Sequence, residues 1–595
     1  MIEESKILKG GEFLIKETDA RDVFIPEEFD DEQKMIVQTC EDFLETEVFP
    51  ILDRIDAQEK GLMRSLIQKA GELGLLGISV PEAYEGFEQS FITSMLASAA
   101  MGAGYSFSVA YSAHTGIGTL PIVYYGNDEQ KQKYLPKLAM GELAAAYCLT
   151  EPNAGSDANA GKSRAVLSED GQHYILNGQK MWITNGGFAD VMTVFAKIDY
   201  DRVHSAFIVE SAWNGVVINP EEKKMGIKGS STVQVFFNDV KVPAGNLLGK
   251  RGEGFRIALN ILHMGRIKLG GTVLGAAKRA ITQSVNYANE RKQFGQFISQ
   301  FGAIKHKLAE QVIKTWVTES AVYRVSKNID DLINVFIEQG IPKTKATIDG
   351  IAAYAIEAAA LKVFGSESLD FVVDEYVQIL GGMGFSAETN ADRAYRDSRI
   401  NRIFEGTNEI NRLLVTDTTI KKALKTGFDV VRYASSIVKY MDQTDGELPE
   451  GSGYFDEKRF YVKNFKKIAL LLIGTLSDKM ERNFLSEQEI LMNISDVIMM
   501  IYGAESAMLR VEKLSGIKNA NELDLIKDIL DVYVYDCACN INKCAKEAIN
   551  SFISGEEQAI MLERIQVFTE VNPINTKEAR RRIADRMIDE NNYCF

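Results

Sequence analysis

The sequence predicts a mainly α-helical protein with a central β-domain, and three observations carry that expectation. Apolar residues recur at three- and four-residue steps over about 30–145 and again over 254–440, the spacing that gathers them on one helix face. Between these blocks, over 146–253, short β-rich runs alternate with turn signals. Only 11 prolines are spread over 595 residues, so the periodic stretches run long before a residue without a backbone N–H interrupts them.

Taken in order, the N-terminal block (30–145) holds periodic segments at 32–49 and 63–75. The middle block (146–253) offers strands at 173–176, ahead of the turn pair Asn177-Gly178, and at 191–198, 206–210 and 232–237. In the last of these Val233, Val235 and Phe237 alternate with Thr232, Gln234 and Phe236, a strand pattern with one face only partly polar. The third block (254–440) reads as helices at 254–289, 302–327, 342–364 and 366–380. A linker at 443–454, carrying Gly446, Pro449, Gly451 and Gly453 among acids, leads to a C-terminal extension (455–595). There 460–476, 488–514 and 524–553 are amphipathic and are expected to form a separate helical bundle.

With 67 Lys and Arg against 83 Asp and Glu, the formal charge is −16, which disfavours polyanionic partners such as nucleic acid or an acidic membrane. Hydrophobic residues at 46% and charged ones at 25% are globular usage. Six cysteines are too few for a disulfide scaffold of this length and point to a reducing compartment. The first five residues lack the basic and apolar regions of a signal peptide, and no run of about 18 apolar residues occurs. The expectation is a soluble cytoplasmic protein.

Several chemistries lack their residues. There is no Walker-type phosphate loop, no G-x-S-x-G, and no H-E-x-x-H among five histidines. Cys537-x-Cys539-x4-Cys544 has no fourth ligand nearby and lies in a helical pattern, so no metal is expected and the thiols are expected to be buried structural groups. Gly381-Gly382-x-Gly384 lacks the strand–turn–helix setting of a dinucleotide fingerprint.

Four clusters are left over from core and solvent patterning: 146–157 (AYCLTEPNAGSD), 180–187 (KMWITNGG), 290–295 (ERKQFG), and the pair 378–385 (QILGGMGF) with 402–410 (RIFEGTNEI). Taken singly each has a bland reading. Glu405 would be one of many surface acids, Trp182 a core residue, Arg291 a helix-end ion pair, and Thr150 and Ser156 turn or cap residues. Together, in this order and spacing over residues 30–420, they closely resemble the acyl-CoA dehydrogenase family. The C-terminal extension resembles, more loosely, that of the very-long-chain enzymes and their bacterial counterparts.

The resemblance implies the fold read above (N-terminal helices, middle β-domain, helical bundle, C-terminal helical extension) and FAD as cofactor. It implies that Tyr147, Leu149, Thr150 and Ser156 line the flavin and pyrophosphate, and that Trp182 and Thr184 sit by the isoalloxazine ring. An aromatic face and nearby donors suit a ring that gains charge on reduction. Arg291, Gln293 and Phe294, with Gln378, Gly381 and Gly382, resemble segments reaching FAD from a neighbouring subunit, so a homodimer or homotetramer is implied. Thr407 and Glu409 take the remaining nucleotide positions. Glu405 matches the catalytic base, which removes an α-proton while a β-hydrogen leaves as hydride to flavin N5, giving a trans-2-enoyl-CoA. Burial strengthens such a base, and its backbone N–H together with a ribityl hydroxyl is the implied donor pair for the thioester oxygen. Gly406 leaves room for the thioester. Ser156 and Arg266 match positions near the substrate, and Gly265 stands where relatives with a displaced base carry Glu.

Val109 and Ala113 fall where shorter-chain relatives carry larger residues, so a deep slot for medium to long acyl chains is expected. An electron-transferring flavoprotein is the implied electron acceptor in fatty-acid β-oxidation. Two alternatives stand beside this reading: an oxidase-like relative that passes electrons to oxygen, and a dehydrogenase-like scaffold whose tail binds a partner. For the extension, a dimer-shaping or peripheral membrane surface is weighed against simple packing.

Overall fold

The N-terminal helices begin where the sequence supplies caps. The Asp30 carboxylate accepts a hydrogen bond from the Gln33 N–H at 2.8 Å, and the Gln33 amide oxygen accepts one from the Asp30 N–H at 3.2 Å. This reciprocal pair satisfies donors that a helix start leaves open, and the helix Asp31–Phe43 follows. Asn127 and Gln130 repeat the arrangement ahead of Asp128–Ala139. The computed structural model describes residues 7–425, 430, 448, 450–480 and 483–595. The first five residues, half of the 443–454 linker and the end of the third block near 440 lie outside the described residues. Between the capped helices, Phe91–Met101 and Ser106–Ser112 are continued by a π-helical turn, Ala113–Gly118, and such turns re-aim side chains at functional sites.

The middle block is an eight-stranded sheet in the order Val216–Ile218, Thr232–Pro243, His173–Thr184, Arg164–Leu167, Val191–Ile198, Ser205–Glu210, Leu247–Leu248. Ala145–Cys148 pairs with Val191–Ile198 in parallel, as does Arg164–Leu167. The turn expected at Asn177-Gly178 is instead a break in register inside one strand, His173–Thr184. Asn177 exchanges hydrogen bonds with Asp239, giving its Nδ2–H to Oδ1 and taking the Asp239 N–H, both at 2.9 Å. A Cβ at Gly178 would meet Ser163 Oγ at 2.3 Å, so the pair serves a bulge and a close crossing rather than a hairpin. The strand continues past the bulge to Trp182 and Thr184, with Thr184 still paired to Thr232.

In the third block the helices are Gly254–Glu290, Gly302–Glu338, Lys343–Ala353 and Ala355–Leu380. The break expected at Gly365 is absent and falls at Tyr354, whose O–H donates to the carbonyls of Leu8 at 2.8 Å and Asn328 at 3.2 Å. Gly365 sits within the last helix for a packing reason. A Cβ there would meet Val273 Cγ2 at 3.0 Å and Gly270 Cα at 3.3 Å, so glycine on both helices lets their backbones approach.

The C-terminal extension forms Tyr454–Met480, Gln488–Leu514, Ala520–Phe552, Gly555–Phe568 and Thr576–Glu590. It does not stand apart as a separate bundle. Ile498, Ile501 and Leu509 share one continuous core with Trp316, Val317 and Val325 of the third block. Buried ion pairs cross the seam: Arg324 with Glu505 at 2.9 Å and Arg510 with Glu319 at 2.9 Å. Of the three thiols expected to be buried, Cys537 is, Cys544 is half-buried and Cys539 is exposed. Two residues along a helix rotate a side chain by about 200°, which turns Cys539 outward. No helix among the described residues is long and apolar enough to cross a membrane.

Candidate active site

Glu405 and Gly406 occupy the connection between the short turn Arg399–Arg402 and the helix Asn408–Lys425. Both have positive φ, 59° and 83°. Glycine takes this region freely, but for Glu405 it stores strain of about 1–3 kcal/mol, held only where surroundings fix it. They do so here. Asn411 Nδ2–H reaches the carbonyls of Glu405, Gly406 and Thr407 at 3.3, 2.8 and 3.0 Å. Arg266 Nε–H donates to the Glu405 carbonyl at 3.1 Å. Thr407 Oγ1 accepts the Ile410 N–H at 3.3 Å, capping the following helix.

The residue as a whole is half-buried, yet its Oε2 is enclosed and has no hydrogen-bond partner. Burial pushes the carboxyl up to about 7, restrained by the charges of Arg266 and Lys362. The carboxyl lies against Gly265, where a Cβ would come within 2.7 Å of Oε2. Glu405 forms part of the wall of a cavity enclosing about 1210 Å³ of empty space, part of it open to solvent. Val109, Ala113 and Thr184 line the same cavity. One face of the helix Gly254–Glu290 forms its long wall through Gly265, Leu269, Thr272, Val273, Ala276 and Ala280. Fifteen steps of the helical rise, from Gly265 to Ala280, make that wall about 22 Å long.

Other residues singled out in the sequence do not line this cavity. Tyr147 is buried in the strand Ala145–Cys148, and its hydroxyl has no partner. Burial holds that hydroxyl protonated, with the charge of Glu405 acting the same way. Leu149 is buried, and Thr150 takes the Met181 N–H on its carbonyl at 2.9 Å, which sets it beside Trp182. Trp182 has φ 59° and is 54% exposed. Ser156 is exposed. A second group sits on the surface outside the cavity. Arg291, Gln293 and Phe294 belong to a small hairpin after the long helix, with Phe294 94% exposed. Gln378 and Gly382 are exposed, and Gly381 ends a helix at φ 60°. Glu409 is exposed one turn from Glu405.

Some contributors are assigned no role by the sequence, although Glu151, Lys180 and Asn408 lie inside its clusters. Lys180 is fully buried and pairs with Glu151 at 2.7 Å, while Glu151 also accepts the N–H groups of Lys162 and Ser163. Burial raises the Glu151 carboxyl, but the Lys180 charge and these bonds bring it to about 2. This ties both ends of the 151–163 loop to Lys180, two residues before Trp182 in the same strand. Lys362 donates to Asn408 Oδ1 at 2.7 Å; burial pulls its ammonium down to about 8 against the opposing charge of Glu405. His114, held down to about 4 by burial, accepts the Ala145 N–H on Nδ1 and so donates from Nε2 to the Leu138 carbonyl. These partners lie tens of residues apart in the chain, where spacing patterns say nothing about contact.

Comparison with known proteins gives a consistent result. Residues 30–142, 146–240 and 252–419 match the N-terminal, middle and C-terminal domains of acyl-CoA dehydrogenase, and residues 464–566 match a further acyl-CoA dehydrogenase C-terminal domain. A probable acyl-CoA dehydrogenase of Bacillus subtilis is 44% identical over 587 residues, covering 99% of this chain and 98% of that one. The mitochondrial very long-chain specific acyl-CoA dehydrogenase of Rattus norvegicus is 43% identical over 369 residues, 60% of this chain and 53% of its own length. An acyl-CoA dehydrogenase of Bacillus anthracis, solved in complex with FAD, superposes with a TM-score of 0.95 at 44% identity, covering 99% of this chain and 100% of that one.

Proposed function

This chain belongs to the acyl-CoA dehydrogenase family, and from that premise we propose that Glu405 takes up the proton lost from the carbon beside a thioester as an acyl-CoA is converted to a trans-2-enoyl-CoA. The observation that carries the assignment is the enclosed Glu405 carboxyl, unpartnered at Oε2 on the wall of a largely apolar slot. A carboxylate that has lost its hydration is a stronger base than a solvated one. The Glu405 backbone N–H has no acceptor among the described residues, and it is available to the thioester oxygen where negative charge develops.

The cofactor is FAD, and the residues present suit it. The indole of Trp182 is left uncovered next to Thr184, the buried Tyr147 hydroxyl lacks a partner, and a Cβ at Gly155, Gly381 or Gly382 would meet nothing within 4 Å. Bound FAD supplies the acceptor for the β-hydrogen and its electron pair. Tyr147, Leu149, Thr150, Ser156, Trp182 and Thr184 would hold it from one chain, with Thr407 and Glu409 near its nucleotide. Arg291, Gln293, Phe294, Gln378, Gly381 and Gly382 would reach it from a second copy, since they sit on the surface away from this chain's own cavity. Exposure of Phe294 and Phe385, 94% and 87%, supports such an assembly. Light scattering that returns the mass of one chain for fully FAD-loaded protein would remove this part of the reading.

Arg266 holds the Glu405 carbonyl and, with Gly406, borders the thioester site. The small side chains at Val109 and Ala113 and the 22 Å wall support medium to long acyl chains. Six free cysteines support a reducing compartment, the cytoplasm. For the extension, the buried seam supports packing over a membrane surface. The test of the whole reading is anaerobic mixing of the yellow protein with saturated acyl-CoAs. Flavin absorbance should bleach and return on adding an electron-transferring flavoprotein. Return with air at the same rate would move the assignment to an oxidase, and no bleaching with any chain would end it.

A further inference from the structure

Lys268 lies one helical turn beyond Gly265 on the same wall of the slot. No hydrogen bond or ion pair reaches its ammonium among the described residues. On one side it borders a small annex walled by Ser79, Ser94, Ser98, Tyr111 and Thr115. None of those hydroxyls accepts a bond from the Lys268 ammonium: Ser79 pairs with Ser94 at 2.9 Å, and Ser98, Tyr111 and Thr115 donate to the carbonyls of Ser94, Leu75 and Tyr111 at 2.8, 2.9 and 2.9 Å. No acid lines the annex.

Two acids stand on the slot wall, Glu405 and Asp397, and neither compensates Lys268. The Glu405 carboxyl responds to burial, Arg266 and Lys362; the Asp397 carboxyl responds to burial, the Ile227 N–H, Asp56, Arg396 and Arg393. Burial alone acts on Lys268, drawing it down to about 8. Arg279, a second cation farther along the wall, already faces Glu45 at 3.2 Å. A hydrocarbon chain filling this slot would strip water from an ammonium and return nothing, which is costly for an unpaired charge. A chain that brings its own negative charge converts the same group into a charge-assisted contact.

We infer that the slot is built for acyl-CoA thioesters whose acyl chain carries a carboxylate, the mono-CoA thioesters of α,ω-dicarboxylic acids, with Lys268 as the specificity-determining cation. The inference rests on the acyl-CoA reading above and names the substrate class of that same site. Discrimination follows because a polar group built to meet a partner rejects the analogue that leaves it unpaired.

The experiment compares kcat and KM of the FAD-loaded enzyme for dicarboxylyl-CoAs, adipyl through dodecanedioyl, with straight-chain acyl-CoAs of equal length. At one length or more the dicarboxylyl thioester should be preferred. Lys268→Met should lower its kcat/KM at least about tenfold, chiefly through KM, while straight chains hold or improve. Lys268→Arg, which keeps the charge, should retain part of the preference. If Lys268→Met changes both classes by the same factor at every length, Lys268 is only a solvated lysine and the inference falls alone. If wild-type enzyme bleaches with neither class, the acyl-CoA reading falls and takes this inference with it.

Discussion

Glu405→Gln is expected to lower kcat by about 10³-fold while FAD content and thermal unfolding stay those of the wild type, because a positioned base contributes on that scale. The amide matches the carboxylate in shape but cannot take a proton. The Asn411 and Arg266 contacts go to the backbone carbonyl rather than the side chain, so the loop should keep its conformation. The wild-type pH profile gives the complementary result. Burial holds Glu405 up to about 7 against Arg266 and Lys362, and the active form is the carboxylate. kcat/KM should therefore rise with pH and level off above that value. A kcat within a few-fold of wild type in the Gln variant, or a profile flat across the neutral range, would show that another group takes the proton.

Arg510→Met is expected to cost about 3–5 kcal/mol of stability, the range for stranding one member of a buried charge network. Arg510 is 2% exposed. It reaches Glu27 at 2.8 Å, Glu319 at 2.9 Å and Ser320 at 3.3 Å, and its guanidinium lies 4.3 Å from the centre of the Trp316 ring. Burial works against that charge, but the two glutamates hold it firmly protonated, so Met leaves Glu319 with Lys278 alone. Because this residue joins the N-terminal segment, the third block and the extension, loss should spread beyond one helix. Guanidinium unfolding followed by circular dichroism measures it. A change under about 1 kcal/mol would mean that the network relaxes around water rather than breaking.

Architecture was legible because long helices and short strands have different apolar periods, and both periods are strong here. What periodicity missed were glycines with two meanings. Gly365 and the Asn177-Gly178 pair read locally as breaks, but each is a place where a neighbouring backbone or side chain comes too close for a Cβ. Cys539 was missed for a smaller reason: a spacing of two residues looks like a cluster in the chain and points opposite ways on a helix. At the site, the motif around Glu405 drew attention to the acid and to Gly406, but not to the left-handed backbone of Glu405 or to Asn411, which holds it. Lys268 carried no motif at all. Its interest lies in what surrounds it, and a sequence does not print surroundings.

Trp182, Trp213 and Trp316 are the chain's three tryptophans, and their settings differ enough to separate by fluorescence. Trp182 lies open beside the proposed isoalloxazine position, Trp213 is half-buried against the sheet, and Trp316 is sealed beneath Arg510. Loading with FAD should dim the first emitter, and release of the extension should red-shift the last. The molecule thus carries its own optical readout of cofactor occupancy and of tail detachment, in one spectrum and without a label.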